Sequence, residues 1–265
     1  MNPLEVLKSV ASFLLGGFII IGLLFLRTPL TNKIADSLES SALPITITPQ
    51  MLHANYKQAK IKILLVPGHD VSDTGAQYKN TRESDLNLEV AKYLYAYLSA
   101  NKKYDVTVTR DFKTGDYTNT FSTYFSTQAE AIKAFRDQAK YNIALLSSKN
   151  LFSKLEAPNR SATPSTSLRL YGINKWANEH AIDITYHIHF NDGPRTLGRP
   201  GKYSGFIIYA PENELGNSIA SKKVAYSIYE QLKTVVPQSD LEGSYMGTAE
   251  NQELIAVGAN GSLKG

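Results

Sequence analysis

The chain has 265 residues, 43% hydrophobic and 20% charged, enough for one large or two small domains with a real core. Its net charge of +4 and pI near 9.0 come from 28 basic residues scattered without an arm or stripe, which argues against nucleic acid as a partner. Cysteine is absent, so disulfides, thiolate nucleophiles and cysteine zinc sites are excluded, and any transition-metal site must be built from histidine and carboxylate.

Residues 9–26 form an uncharged apolar run flanked by Lys8 and Arg27. At 1.5 Å per residue such a run spans roughly 27 Å, just enough for a bilayer core. A signal peptide is the competing reading, but no small-x-small cleavage site follows closely. A buried core helix would show a polar face, and this run has none. The expectation is an uncleaved anchor over 1–27, whose flanking charges do not decide its orientation. Residues 28–60, polar and with an extended stretch between Pro44 and Pro49, read as a stalk, and the lone His53 is assigned no role.

The main domain is expected over 61–265. Residues 61–66 are apolar and branched except for Lys62, and Pro67-Gly68 stops them abruptly, the signature of a buried strand in an α/β protein. Residues 71–82 read as a polar loop. A helix follows, with Leu86, Val90, Leu94 and Leu98 (and Tyr93, Tyr97) at helical spacing, and Glu83 and Asp85 at its positive end. Residues 104–109 alternate as a second strand delivering Arg110-Asp111. Residues 112–167 read as an insertion, rich in Ser, Thr, Asn and Tyr, with a capping-box pattern at Thr127–Glu130 opening a helix to about Ser147. Such an insertion is expected to behave as a loop or lid. Residues 168–180 form a helix with Leu170, Ile173 and Ala177 inward and His180 against its C-terminal dipole. Strands at 182–190 and 203–210 and a helix at 215–236 complete the pattern. Strands alternating with helices predict an α/β fold, a three-layer α/β/α domain on a mostly parallel twisted sheet, preceded by an N-terminal transmembrane helix.

Function in such sheets sits past the carboxyl ends of the strands. The first side chain presented beyond the opening strand is His69, and Glu83 begins the next helix. On the strand 182–190, His187 and His189 alternate onto one face. A single buried histidine is adequately explained as a hydrogen-bonded core residue, but two on one face beside His69 at another strand tip call for a reason. Two histidines and one glutamate give three protein ligands for zinc and leave a fourth position open, the pattern of a catalytic rather than a structural site. Metal-assisted hydrolysis is the implied reaction. Neither HExxH nor HxxE is present, since Ser72 stands three residues after His69.

The stretch PGHDVSDTGA followed by Glu83, then RLYGINKWAN at 169–178, then HIHFN at 187–191, resembles the zinc-dependent N-acetylmuramoyl-L-alanine amidases of the type 3 family over roughly residue 60 to the C-terminus. That resemblance implies His69, Glu83 and His189 as zinc ligands, with His187, where the family has serine, as an extra. Arg110 and Asp111 match the family's R-T-x-D strand end imperfectly, and Ser204-Gly205-Phe206 with Tyr209 is similar to its S-G-x-x-x-Y strand. The implied substrate is peptidoglycan, the implied bond the amide joining the lactyl group of N-acetylmuramic acid to L-alanine, and Asn191 and Tyr209 the candidates for substrate hydrogen bonds. A wall substrate places the domain outside the cytoplasm, with the membrane anchor a single pass, N-in and C-out.

Two departures from the family pattern shape the expectation. The family's general-base glutamate lies on a final strand, expected here beyond Gly265, and neither Glu250 nor Glu253 is assigned that role. A truncated reading frame is the simplest account of the chain's end. A non-catalytic zinc-carrying muropeptide-binding protein and another zinc amide hydrolase of the same fold are the rival readings. The other departure is the insertion 112–167, which in relatives can cover the zinc and restrain activity, so its deletion is expected to increase substrate access.

Overall fold

The computed structural model describes residues 48–150, 162–191, 203–240, 248–250, 254–258 and 261–264. The expected anchor and most of the expected stalk lie outside the described residues, among which no helix is long and apolar enough to cross a membrane. The end of the stalk region is helical: α1, Pro49–Gln58, is started by Thr48, whose hydroxyl accepts the Met51 N–H at 3.2 Å, with proline at the position where a helix loses no hydrogen bond.

Strand β1, Ile61–Pro67, is buried along its whole length except at Lys62. A short hairpin follows inside the expected loop, β2 (Gln77–Tyr78) and β3 (Thr81–Arg82), leading directly into α2, Glu83–Ser99. Then come β4 (Tyr104–Val108), α3 (Asn119–Thr127), α4 (Ala129–Ser148), α5 (Pro164–Glu179), β5 (Ile184–Ile188), β6 (Ile208–Ala210), α6 (Ser218–Leu232) and β7 (Thr248–Glu250). The sheet runs β4-β1-β5 with both pairings parallel, as the alternation of strands and helices predicts. Strand β6 pairs with β7, also in parallel, as a separate ribbon.

Side chains of β1 alternate between two cores. Leu64 and Val66 join Phe121 and Phe125 of α3, Ile132 of α4 and Tyr171, Ile173, Trp176 and Ala177 of α5. Ile61, Ile63 and Leu65 join Leu94 and Leu98 of α2 together with Ile184 and Tyr186 of β5. Helices thus cover both faces of a mixed α/β fold built on a parallel sheet.

Three local expectations change. The row Leu86–Val90 does not face inward: Leu86 is 38% and Val90 40% exposed, and α2 buries Glu83, Ser84, Asn87 and Ala91 instead. Polar anchoring of Glu83 and Asn87, described below, sets the rotation of this helix. The capping box at Thr127 does not form, because Thr127 ends α3 and its hydroxyl donates to the Thr123 carbonyl at 2.8 Å, while α4 starts without a side-chain cap. Residues 119–148 are not a surface loop. Phe121 and Ile132 are fully buried, and Phe121 lies 4.8 Å from Trp176 between ring centroids, so this part of the expected insertion supplies a wall of the main core.

Candidate metal centre

β1 hands over to the site through Gly68, whose N–H donates to the Ile188 carbonyl of β5 at 2.9 Å. The next residue, His69, has φ +61°, a left-handed backbone that costs a non-glycine residue about 1–2 kcal/mol. The following loop holds that turn. The buried Asp70 carboxylate accepts from the Ser72 N–H, the Ser72 hydroxyl and the Asp73 N–H at 2.7, 2.6 and 2.8 Å, and pairs with Arg169 of α5. Burial opposes ionisation of Asp70, but these hydrogen bonds and Arg169 prevail and keep its pKa below the usual carboxylate value. The same loop then caps α2, as the carbonyls of Ala76 and Thr74 accept the N–H groups of Glu83 and Ser84 at 2.8 and 3.1 Å.

Glu83 therefore enters the site from the first position of α2, with its side chain 3% exposed. Its Oε1 accepts from the Phe190 N–H at 3.1 Å and meets His189 Nδ1 at 3.0 Å. Its Oε2 accepts from the Ala76 N–H at 3.0 Å and lies 3.3 Å from His69 Nε2. Burial works against the charged form of Glu83, yet the His189, His69 and Ala76 hydrogen bonds overcome it and hold the carboxyl far below its ordinary pKa. The same Glu83 bond raises the pKa of His69 against the lowering effect of burial, with Asp73 adding to the rise. Asp73 stands 3.4 Å from His69 Nδ1, on the side of the ring away from Glu83.

One donor atom from each of His69, Glu83 and His189 lies within 4.8 Å of the other two. Tetrahedral zinc with ligands at about 2.0–2.2 Å needs donor separations of roughly 3.4 Å. Glu83 presents Oε1 to His189 at 3.0 Å and Oε2 to His69 at 3.3 Å, so each imidazole stands near that spacing from a different oxygen of the one carboxylate. Two imidazole nitrogens and a carboxylate, with no thiolate in the chain, make a donor set suited to zinc. Glycine shapes the surroundings: a Cβ on Gly68 would stand 2.2 Å from His189 Cε1, and one on Gly75 would stand 2.6 Å from His69 Cδ2 and 2.7 Å from Glu83 Oε2.

His187 is placed otherwise. It sits in β5 opposite Val66, and both of its ring nitrogens are sealed from solvent without a hydrogen-bond partner. Burial, with the nearby His189 adding to it, pushes its pKa down to about 3. It is outside the three-residue cluster. Asn191 is exposed two residues past His189, Tyr209 lies half-buried in β6 opposite Ala249, and Glu250 is tied to Lys222 of α6. His180 caps α5, with Nδ1 2.8 Å from the Trp176 carbonyl and its ring stacked on that indole.

Sequence reasoning did not foresee Asn87, whose amide donates to the Gly68 carbonyl at 2.9 Å, nor the part Asp70 and Asp73 play in holding the loop. The D-x-S-D spacing of residues 70–73 is the signal that was there to read, since a carboxylate followed by free N–H groups two and three residues on folds back upon them.

A family model for N-acetylmuramoyl-L-alanine amidases matches residues 63–252, and the chain belongs to that family and that class of enzyme. Two solved structures are similar to it at low identity. One is the catalytic domain of the N-acetylmuramoyl-L-alanine amidase CwlV from Bacillus (Paenibacillus) polymyxa var. colistinus, 16% identical, with 75% of this chain and 73% of that one covered at a TM-score of 0.42. The other is the N-acetylmuramoyl-L-alanine amidase from Clostridium difficile 630, 18% identical, covering 76% and 74% at 0.41. At those identities and scores they add nothing to the family match. No curated protein matches the chain.

Proposed function

We propose that this protein hydrolyses the amide between N-acetylmuramic acid and L-alanine in peptidoglycan with one zinc ion held by His69, Glu83 and His189. The observation that carries the reading is the meeting of those three donors, from two strand ends and one helix start, at the carboxyl edge of a parallel sheet in a chain of the amidase family. When bound, zinc supplies Lewis acidity to polarise an amide carbonyl and lower the pKa of water.

The chain's own residues prepare the site for that ion. Glu83 stays ionised and balances part of the cation's charge. Asp73 faces His69 Nδ1 and can accept its N–H, the tautomer that would free Nε2, which otherwise donates to Glu83, to act as a metal ligand. Asn191 and Tyr209 are the candidates for hydrogen bonds to the substrate. A wall substrate requires the domain outside the cytoplasm, with residues 1–27 as a single-pass anchor and 28–60 as the tether.

Product analysis on purified sacculi, with zinc binding measured on the same protein, tests the proposal. Purified sacculi incubated with the zinc-loaded protein should release stem peptides that begin with L-alanine. Released peptides or sugars with any other new terminus would point to a different hydrolase, and zinc binding without release would point to a binding protein.

A further inference from the structure

Arg110, two residues past the end of β4, is 2% exposed, and among the described residues its guanidinium hydrogen-bonds only to backbone carbonyls. Nε and Nη2 both donate to the Gly115 carbonyl, at 2.9 and 2.6 Å. Nη1 donates to the Gly68 carbonyl at 3.2 Å and to the Ser84 carbonyl at 3.0 Å. A buried cation is ordinarily matched by a carboxylate. Here it is spent on three carbonyls, two of which belong to the residue just before His69 and the residue just after Glu83.

Gly68 stands against both histidines of the cluster. It is bonded to His69, its α-carbon is flush with the His189 ring, and its carbonyl is held by Arg110 and by Asn87. The tip of β1 and the first turn of α2 come from segments joined by a long loop, and a single nitrogen, Nη1, spans them.

We infer that Arg110 is a positioning residue for the metal centre: by gripping the Gly68 and Ser84 carbonyls together it fixes the gap between the strand tip bearing His69 and the helix start bearing Glu83, with Asn87 as its assistant on Gly68. The inference rests on the reading of His69, Glu83 and His189 as the metal ligands. It depends on the planar fork of arginine, because a lysine ammonium at the same place keeps the charge but lacks the rigid array of donors that reaches all three carbonyls.

The test uses the full chain with Arg110→Lys and Asn87→Ala, measuring zinc affinity by competition with a chromophoric chelator and geometry by the visible spectrum of the cobalt-substituted protein. Thermal unfolding identifies variants that fold cooperatively. A folded R110K is expected to bind zinc roughly 10–100-fold more weakly than wild type, with a changed cobalt spectrum, and N87A to lose less. A purely structural arginine would lower the unfolding temperature and leave both metal readouts of the folded protein unmoved, which overturns the inference. If R110K does not fold, N87A decides: zinc affinity equal to wild type overturns the grip on Gly68, and a loss supports it. A wild-type protein that binds no zinc sinks the metal-centre reading and this inference together, whereas zinc-binding wild type with unaltered variants sinks this inference alone.

Discussion

The corner around His69 and the wall formed by α3, α4 and α5 lie on the same domain but are held by different means. The wall is aromatic and aliphatic: Phe121, Phe125, Ile132, Tyr171 and Trp176 fill space and make few directional bonds. At the corner a strained histidine, two glycines without room for a Cβ, a buried arginine and a carboxylate loop are fixed by bonds to backbone atoms. The wall depends on volume and the corner on placement. Substitutions should therefore separate stability from metal binding, and each expectation below can break that separation.

The largest effect is expected from removing a ligand. His69→Ala and His189→Ala should each abolish zinc retention through gel filtration while the protein still unfolds cooperatively, whereas His187→Ala should keep its zinc. Retention by either ligand variant would end the three-residue assignment. Next is Phe121→Ala, which empties a fully buried site and should lower stability by about 3–5 kcal/mol in denaturant titration without altering zinc affinity. By the same reasoning, deletion of 112–167 should yield a protein that does not fold rather than one with a more open site, since it removes core side chains along with the expected cover.

Gly68→Ala should show the opposite balance. Its added methyl collides with the His189 ring, so zinc affinity is expected to fall roughly tenfold or more, the scale of losing a group that orients a ligand, with only a small change in unfolding temperature. The smallest effect is in the acid limb. Asp70 has a lowered pKa when folded, so its contribution to stability is complete above its ordinary value of 3.8 and is lost as pH falls through the lower folded value. The difference in unfolding temperature between wild type and Asp70→Asn should be full near neutral pH and shrink below about 3.8. A difference that persists undiminished at lower pH would show that the carboxylate's charge is not what holds the loop.

Strands β1 and β4 and the helix α5 were legible because their apolar residues recur with one clear period, with β1 stopping at Pro67-Gly68 and α5 at a histidine cap. The convergence of His69, Glu83 and His189 followed from the rule that parallel strands present their ends along one edge. The rotation of α2 was not legible, because its apolar row loses to two polar anchors, Glu83 and Asn87, whose partners lie far away in sequence or at the strand tip. α3 was hidden by composition: NTFSTYFST reads as polar, yet Phe121 and Phe125 stand four apart and put both rings on one side. Strand β6 is shorter than its apolar stretch because Phe206 bridges to Gln238 instead of continuing the ribbon. The role of Arg110 was invisible, since its partners are carbonyls and a sequence shows no carbonyl positions.

The parallel order β4-β1-β5 has a kinetic corollary. His189 reaches Glu83 across 106 residues, and no short turn can bring those ends together. A chelate of all three donors can exist only after β5 has docked on β1, late in the search, because distant contacts must first overcome the entropy of closing the intervening chain. Zinc should accordingly slow unfolding far more than it speeds refolding. Stopped-flow rates with and without the ion would expose an early chelate if the refolding limb were the one that moved.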